Sequence, residues 1–214
     1  LTLNNPKLPS DVGILLIGCS VTYGVGSSDK DTVGSFLAAD IKNISVWNTG
    51  VPGAGLNTIY ELIDAADLAF NVPHKKLIVI YTFISDHLKR LTCNSSCFSE
   101  KNDFFMVLPR YKLIDNELVR IGTHADTYRS GWPYSILKNF KSISEGPFIF
   151  YDSDHKEAVE LHYAFLNAIR KKLSSKYEIL DFYQLYFMNH NVDIIKQMED
   201  SNKYNFKSII FSLD

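Results

Sequence analysis

The chain has 214 residues, 46% of them hydrophobic and 21% charged, with 22 Lys and Arg against 24 Asp and Glu for a formal net charge of -2. That length suits one well-buried domain rather than two, and a near-balanced charge with no basic run or stripe excludes a nucleic-acid binder that works by neutralising phosphates. No apolar stretch approaches the roughly 18 residues that cross a bilayer, and no low-complexity tract interrupts the composition.

The sequence starts at Leu1 with neither a methionine nor a charged-then-apolar leader, as a processed or recombinant piece of something longer would. Its first strong signal is "VGILLIG" (12–18), an apolar β-rich run that leads straight into Cys19, Ser20 and a glycine- and serine-rich turn. "TVGSFLAADI" follows at helical spacing, then the strand-like "ISVWN" (44–48) and the glycine turn "GVPGAG" (50–55). In "LNTIYELIDAADLAF" the residues Ile59, Leu62, Ile63 and Ala66 share one helical face. "KLIVIYTF" (76–83) reads as a third buried strand and runs into Ser85, Asp86 and His87.

From about 88 to 146 the rhythm breaks, and "YKLIDNELVRIG" alternates around Asp115-Asn116 as a β-hairpin does. Excursions of this length from an α/β sheet are functional covers more often than core, so this one is expected to flank the site. "PFIFYD" (147–152) and "YEILDF" (177–182) read as further strands around a helix at 156–173, whose early acids and terminal Arg170, Lys171 and Lys172 suit the helix dipole. Short apolar strands alternating with helices predict a parallel sheet.

Cofactor fingerprints are missing. A phosphate loop needs Gly-Lys-Ser/Thr where Gly26 is followed by Ser27-Ser28-Asp29, and "GVPGAG" does not have the G-x-G-x-x-G spacing of a dinucleotide site. Position 22 is Thr, so the G-x-S-x-G elbow is absent as well. No cofactor and no metal are expected: Cys93 and Cys97 in "TCNSSCF" have no flanking ligands and read either as loop thiols or as a disulfide in an oxidising compartment. Asn43 and Asn94 head Asn-x-Ser triplets, which matter only in a glycosylating host.

What remains is G-x-S after the first strand, a glycine turn after the second and Ser-Asp-His after the third, all at strand ends where open α/β sheets build their sites. Taken alone, Ser20 reads first as a capping serine in a tight turn. Together, "IGCSVTYGVG" and "NTGVPGAGLNT" in this order resemble the SGNH, or GDSL-like, hydrolases. The resemblance runs through nearly the whole chain in element order. It implies a three-layer α/β/α sandwich on a mostly parallel five-stranded, flavodoxin-like sheet. It also implies Ser20 as nucleophile and oxyanion donor, with the Gly53 amide as a second donor.

The chain departs from the family pattern at three places. Cys19 stands where the family has aspartate, and strand alternation would turn its side chain away from that of Ser20. Ser85 stands where an asparagine supplies a third donor, with His87 and Arg90 beyond it as candidate substrate contacts. The family's Asp-x-x-His base would begin at Asp214, with the histidine beyond the given sequence; Asp152 and His155 have the same spacing but stand earlier in the order, or cap the following helix. The expected function is hydrolysis of an acyl ester, a carbohydrate O-acyl ester foremost, with Tyr128, Trp132 and Tyr134 as candidate sugar-facing aromatics. An O-acyltransferase and a non-catalytic binding module are the alternatives. The expected partners are a small-molecule or glycan ester, with no nucleic acid and no membrane span, and the expected setting is the cell envelope rather than the cytoplasm.

Overall fold

Strand β2 shows why a parallel sheet forms: in "VGILLI" the even positions Ile14 and Leu16 pack on one side, and the odd positions Leu15 and Ile17 on the other. Both faces are buried, which selects a continuous apolar run over an alternating one. The computed structural model describes residues 2–3, 11–41, 43–65, 73–93, 105–129, 151–188, 198, 204 and 206–212, without the side chains of 2–3, 64–65, 105, 127–129, 151–155, 187–188 and 211–212. Its elements are β1 (Thr2–Leu3), β2 (Val12–Ile17), α1 (Ser20–Tyr23), α2 (Val33–Asp40), β3 (Ser45–Asn48), α3 (Leu56–Ala65), β4 (Lys76–Phe83), α4 (Asp86–Thr92), β5 (Pro109–Ile114), β6 (Glu117–Thr123), α5 (His124–Arg129), α6 (Tyr151–Ser174), β7 (Glu178–Met188) and β8 (Lys207–Ser212).

The main sheet has the order β1-β3-β2-β4-β7-β8. All its pairs are parallel except the short antiparallel β1 against β3. Counting only the parallel strands in chain order gives 2-1-3-4-5, the doubly wound flavodoxin-like arrangement. Helix α2 covers one face, where Leu37, Ala38 and Ile41 meet Ile14, Leu16 and Val46. Helices α3, α4 and α6 cover the other, where the larger core gathers Leu15, Ile17, Val79, Tyr81 and Phe83 from the sheet and Ile59, Leu88 and Leu166 from the helices.

The expected five parallel strands are present, with one exchange. Tyr151 and Asp152 belong to α6 rather than to a strand, and residues 147–150 lie outside the described ones. Asp152, Ser153 and Asp154 fall in the first turn of α6. The fifth parallel strand is instead β8, "KSIIFS", an edge whose Ile209 and Ile210 are both exposed. With neither face buried it carries no alternation, so its sequence gives no strand period.

The hairpin at Asp115-Asn116 forms as expected, both residues taking positive φ (52° and 65°) in the turn between β5 and β6. The excursion leaves the core later than expected, since α4 runs on to Thr92 and Cys93 caps it in the left-handed conformation. Cys93 is disulfide-bonded, Cys19 is free, and Cys97 lies outside the described residues. Rather than standing over the strand ends, the described part of the insertion packs on the helical layer. Tyr111 of β5 meets Tyr60 and Phe165 edge-on, and its hydroxyl donates to Glu61 at 3.0 Å.

Candidate active site

Ser20 is the first residue of α1, three positions past the end of β2, and is half-buried. The chain departs from strand geometry here: Cys19 (φ -100°, ψ -148°) is the N-cap and α1 winds at once beyond it. That break corrects the expectation for Cys19. Its side chain is fully buried, but its sulfur is 3.9 Å from Ser20 Oγ, because alternation holds only while the backbone stays extended. As a residue of a helix's first turn, Ser20 has no intrahelical acceptor for its N–H.

The loop after β3 is fastened beside this turn. Thr49 N–H donates to Leu16 O at 2.9 Å and Val51 N–H to Gly18 O at 3.0 Å, which carries the parallel ladder past both strand ends. Buried Asn48, which the sequence reading passed over, donates from Nδ2 to Thr22 O at 2.6 Å and accepts from Gly50 N–H at 3.0 Å. The chain then turns at Val51-Pro52-Gly53-Ala54, closed by Ala54 N–H to Val51 O at 3.0 Å, with Gly53 at φ 79°. Proline second and a positive-φ glycine third define a type II turn, whose central N–H points outward. Among the described residues neither the Ser20 N–H nor the Gly53 N–H is spent on a backbone acceptor. Each lies two residues beyond the last hydrogen-bonded pair.

Ser85 is exposed, two residues past the end of β4 and at the N-cap of α4, with no side-chain capping bond. Ser20, Gly53 and Ser85 thus leave the carboxyl ends of the adjacent strands β2, β3 and β4. The chain reverses its winding direction between β2 and β4, and that is where doubly wound sheets open a crevice.

His87 and Arg90 turn into the protein. His87 is fully buried under the β4 end, its Nδ1 2.6 Å from the Tyr81 hydroxyl and 3.5 Å from Ile84 N–H. Nδ1 and the phenol share one hydrogen bond, whose direction follows the imidazole tautomer. Burial, with the nearby charges of Arg90 and His162, holds the His87 pKa well below the ordinary histidine value. Burial likewise raises the Tyr81 phenol, and Cys19 and Tyr186 add to this while Arg90 opposes it. His162 of α6 completes the cluster against Tyr81 and Phe83, with Nε2 2.8 Å from the Gln184 amide. Burial pushes its pKa down to about 3. The group is therefore neutral at physiological pH.

Arg90 lies on the far side of the Gly53 turn, 8% exposed, with Nη1 donating to Ala54 O at 2.8 Å. Its own carbonyl accepts from Asn57 Nδ2 at 3.3 Å and from His124 Nε2 at 3.1 Å. Asn57 also donates to Pro109 O at 2.7 Å, so the insertion braces the underside of the site. Of these residues His87 and Arg90 were singled out from the sequence, and one signal for the others was present: His162 lies on the buried stripe Ala158, Leu166, Ile169, Leu173 of α6, at core spacing.

None of the described imidazoles is bonded to Ser20. His74 stands at the opposite, amino end of the sheet, against Gly13 and Trp47, and His87, His124 and His162 have the partners given above. Asp152 and His155 belong to the first turns of α6, with side chains outside the described ones. Asp214 lies outside the described residues too, although β8 runs toward it in the direction of β2. Tyr128, Trp132 and Tyr134 have no described side chains. Among the described residues no three metal-ligating side chains gather, and no helix is long and apolar enough to cross a membrane.

The turn that carries the half-buried Ser20 hydroxyl is bonded to the neighbouring Gly53 turn, and each has an N–H that no backbone acceptor takes among the described residues: a nucleophile and oxyanion donors are the groups that acyl transfer calls for. In comparisons with known proteins the chain matches no family model, and no curated protein matches it in sequence. Among solved structures it is similar to a member of the lipolytic protein G-D-S-L family from Veillonella parvula DSM 2008, with a TM-score of 0.43 and 13% sequence identity, covering 93% of this chain and 77% of that one.

Proposed function

We propose that the protein is a serine esterase of the SGNH type that cleaves an acyl ester through an acyl-Ser20 intermediate, with the whole chain forming one such domain. The observation that carries the reading is the meeting of the Ser20 turn and the Gly53 turn along one continued ladder at the switch point of the sheet. In this reading Ser20 Oγ adds to the ester carbonyl carbon and its proton passes to a base. The carbonyl oxygen becomes an oxyanion held by the Ser20 and Gly53 N–H groups, and Ser85 Oγ is placed to donate a third hydrogen bond. The C–O bond to the alcohol then breaks, the base returns the proton to the leaving oxygen, and water releases the acid from Ser20 by the same steps. Asp214 is the acid that orients the base in this reading, and Asp152 with His155 is the rival pair. Reaching Ser20 from the end of β8 means spanning the ends of β7 and β4, about 14 Å at ordinary strand spacing.

A carbohydrate O-acyl ester is the favoured substrate, and the exposed Tyr23 ring, three residues after Ser20, supports a flat sugar face at the site. The disulfide at Cys93 supports a setting outside the reducing cytoplasm. One observation favours the binding-module reading instead: the partner described for Ser20 Oγ is the Cys19 thiol, a weak acceptor that cannot activate it. A fluorophosphonate probe and short-chain aryl esters, applied to the full-length protein and to Ser20→Ala, separate the two. The esterase reading expects labelling at Ser20 and turnover, both lost in the variant. Equal turnover in the variant, or a full-length protein that neither labels nor turns over, sinks it.

A further inference from the structure

We infer that Arg90 is a positioning residue for the oxyanion-binding turn: its buried guanidinium clamps the Ala54 carbonyl and so anchors the exit of the turn that presents the Gly53 N–H. The inference rests on the esterase reading for its catalytic consequence, but the clamp itself does not.

The turn Val51–Ala54 is held at its entrance by the Val51 N–H bond to Gly18 O, and internally by the bond from Ala54 N–H to Val51 O. Neither bond fixes the plane of the peptide that follows Ala54. That plane is set by Arg90 Nη1, 2.8 Å from Ala54 O, in a site that leaves Arg90 only 8% exposed. The arginine stem is part of the fit, since a Cβ at Gly55 would stand 3.1 Å from Arg90 Cβ and 3.7 Å from its Cδ. The backbone at Arg90 is fixed in turn from two directions, by Asn57 of α3 and by His124 of α5. One residue of α4 thereby joins the glycine turn to its own helix, to α3 and to the start of α5. A point charge would not substitute, because the guanidinium is a planar fork with fixed donor directions whereas an ammonium is a freely turning donor on a flexible stem. Tilting an oxyanion donor is costly for the same reason that preorganisation is effective. A misplacement of about 1 Å costs on the order of 10²-fold in rate.

The test compares the full-length protein with Arg90→Lys and Arg90→Ala, by amide hydrogen exchange at Ala54 and by kinetics on a short-chain aryl ester. Ala54 exchange is expected to quicken at least about tenfold in both variants, because its turn loses the outer anchor. For Arg90→Ala, kcat is expected to fall on the order of 10²-fold with KM held within about twofold, and added guanidinium, but not ammonium, is expected to restore at least about tenfold. If Arg90→Ala does not fold, Arg90→Lys carries the same exchange and kcat comparisons. Unchanged Ala54 exchange overturns the clamp. A kcat within about twofold of the parent, in a protein whose Ser20 still takes the fluorophosphonate, overturns the positioning role. Absence of labelling and turnover in the parent is a failure of the esterase reading instead, and the exchange result then judges the clamp alone.

Discussion

At Ser20 the hydroxyl contributes nothing that the fold needs. Its described contact is a sulfur at 3.9 Å, beyond useful hydrogen-bond strength, so Ser20→Ala is expected to shift the denaturation free energy by no more than about 0.5 kcal/mol while abolishing any esterase turnover. Chemical denaturation beside the kinetic assay checks both halves. Cys19, next to it, is the opposite case. Its thiol is wholly buried among the groups around Tyr81 and is free, whereas Cys93 is disulfide-bonded. Thiol titration should find no reactive sulfhydryl in the native protein and one after unfolding without reductant; two or more after unfolding would contradict the pairing of Cys93.

Elements differ in how far they commit to the core. Helix α6 presents Ala158, Leu166, Ile169 and Leu173 to the larger core, and Leu166 is wholly buried, so Leu166→Ala should cost about 2–5 kcal/mol through lost transfer energy and the cavity left behind. Strand β8 is the contrast. Ile210 is 48% exposed on an edge strand, and Ile210→Lys should fall within about 0.5 kcal/mol of the parent. Denaturant midpoints of the two variants test the ranking; a large loss at Ile210 would mean that β8 is covered in solution. The insertion belongs with α6 in this respect, because Tyr111 and the bonds to Asn57 and Arg90 make it a brace for the site.

Across the whole molecule, buried neutral imidazoles set the response to acid. His162 faces Tyr81, Phe83, Tyr163 and Gln184, with His87 nearby and no carboxylate among the described partners. His124 is pushed down to about 4, chiefly by burial and opposed by its bond to Arg90 O, and His162 to about 3. In the unfolded chain these groups take up protons near pH 6.5. The unfolded state therefore binds more protons below that pH, and stability should fall from about pH 6.5 down to about pH 3, with little change above it on their account. Denaturant midpoints measured across this range check the slope, and His162→Gln should make it shallower. A midpoint that is flat from pH 7 to pH 4 would show that the imidazoles are not held neutral in the fold.

How much of this was written in the chain depends on the range of the interaction responsible. Strands β2, β3 and β4, helices α2 and α3, the Asp115-Asn116 hairpin and the order of the three site turns were legible, because local period and turn chemistry specify them: "VGILLI" is apolar on both faces, and Pro52-Gly53 is a turn-forming pair. Strand β8 was not, because an exposed edge has no buried face to impose a pattern. Tyr151 and Asp152 read in the sequence as the end of a strand, because a short apolar run ahead of them suits a strand and a helix equally. Tertiary structure alone turned His87 and Arg90 inward, put the Cys19 sulfur beside Ser20, and let Asn48, Asn57 and His124 bind backbone 26 to 52 residues away, or 34 in the case of His124. A side chain that satisfies a distant carbonyl leaves no periodic trace in the sequence, since the need it meets exists only after the strands have paired.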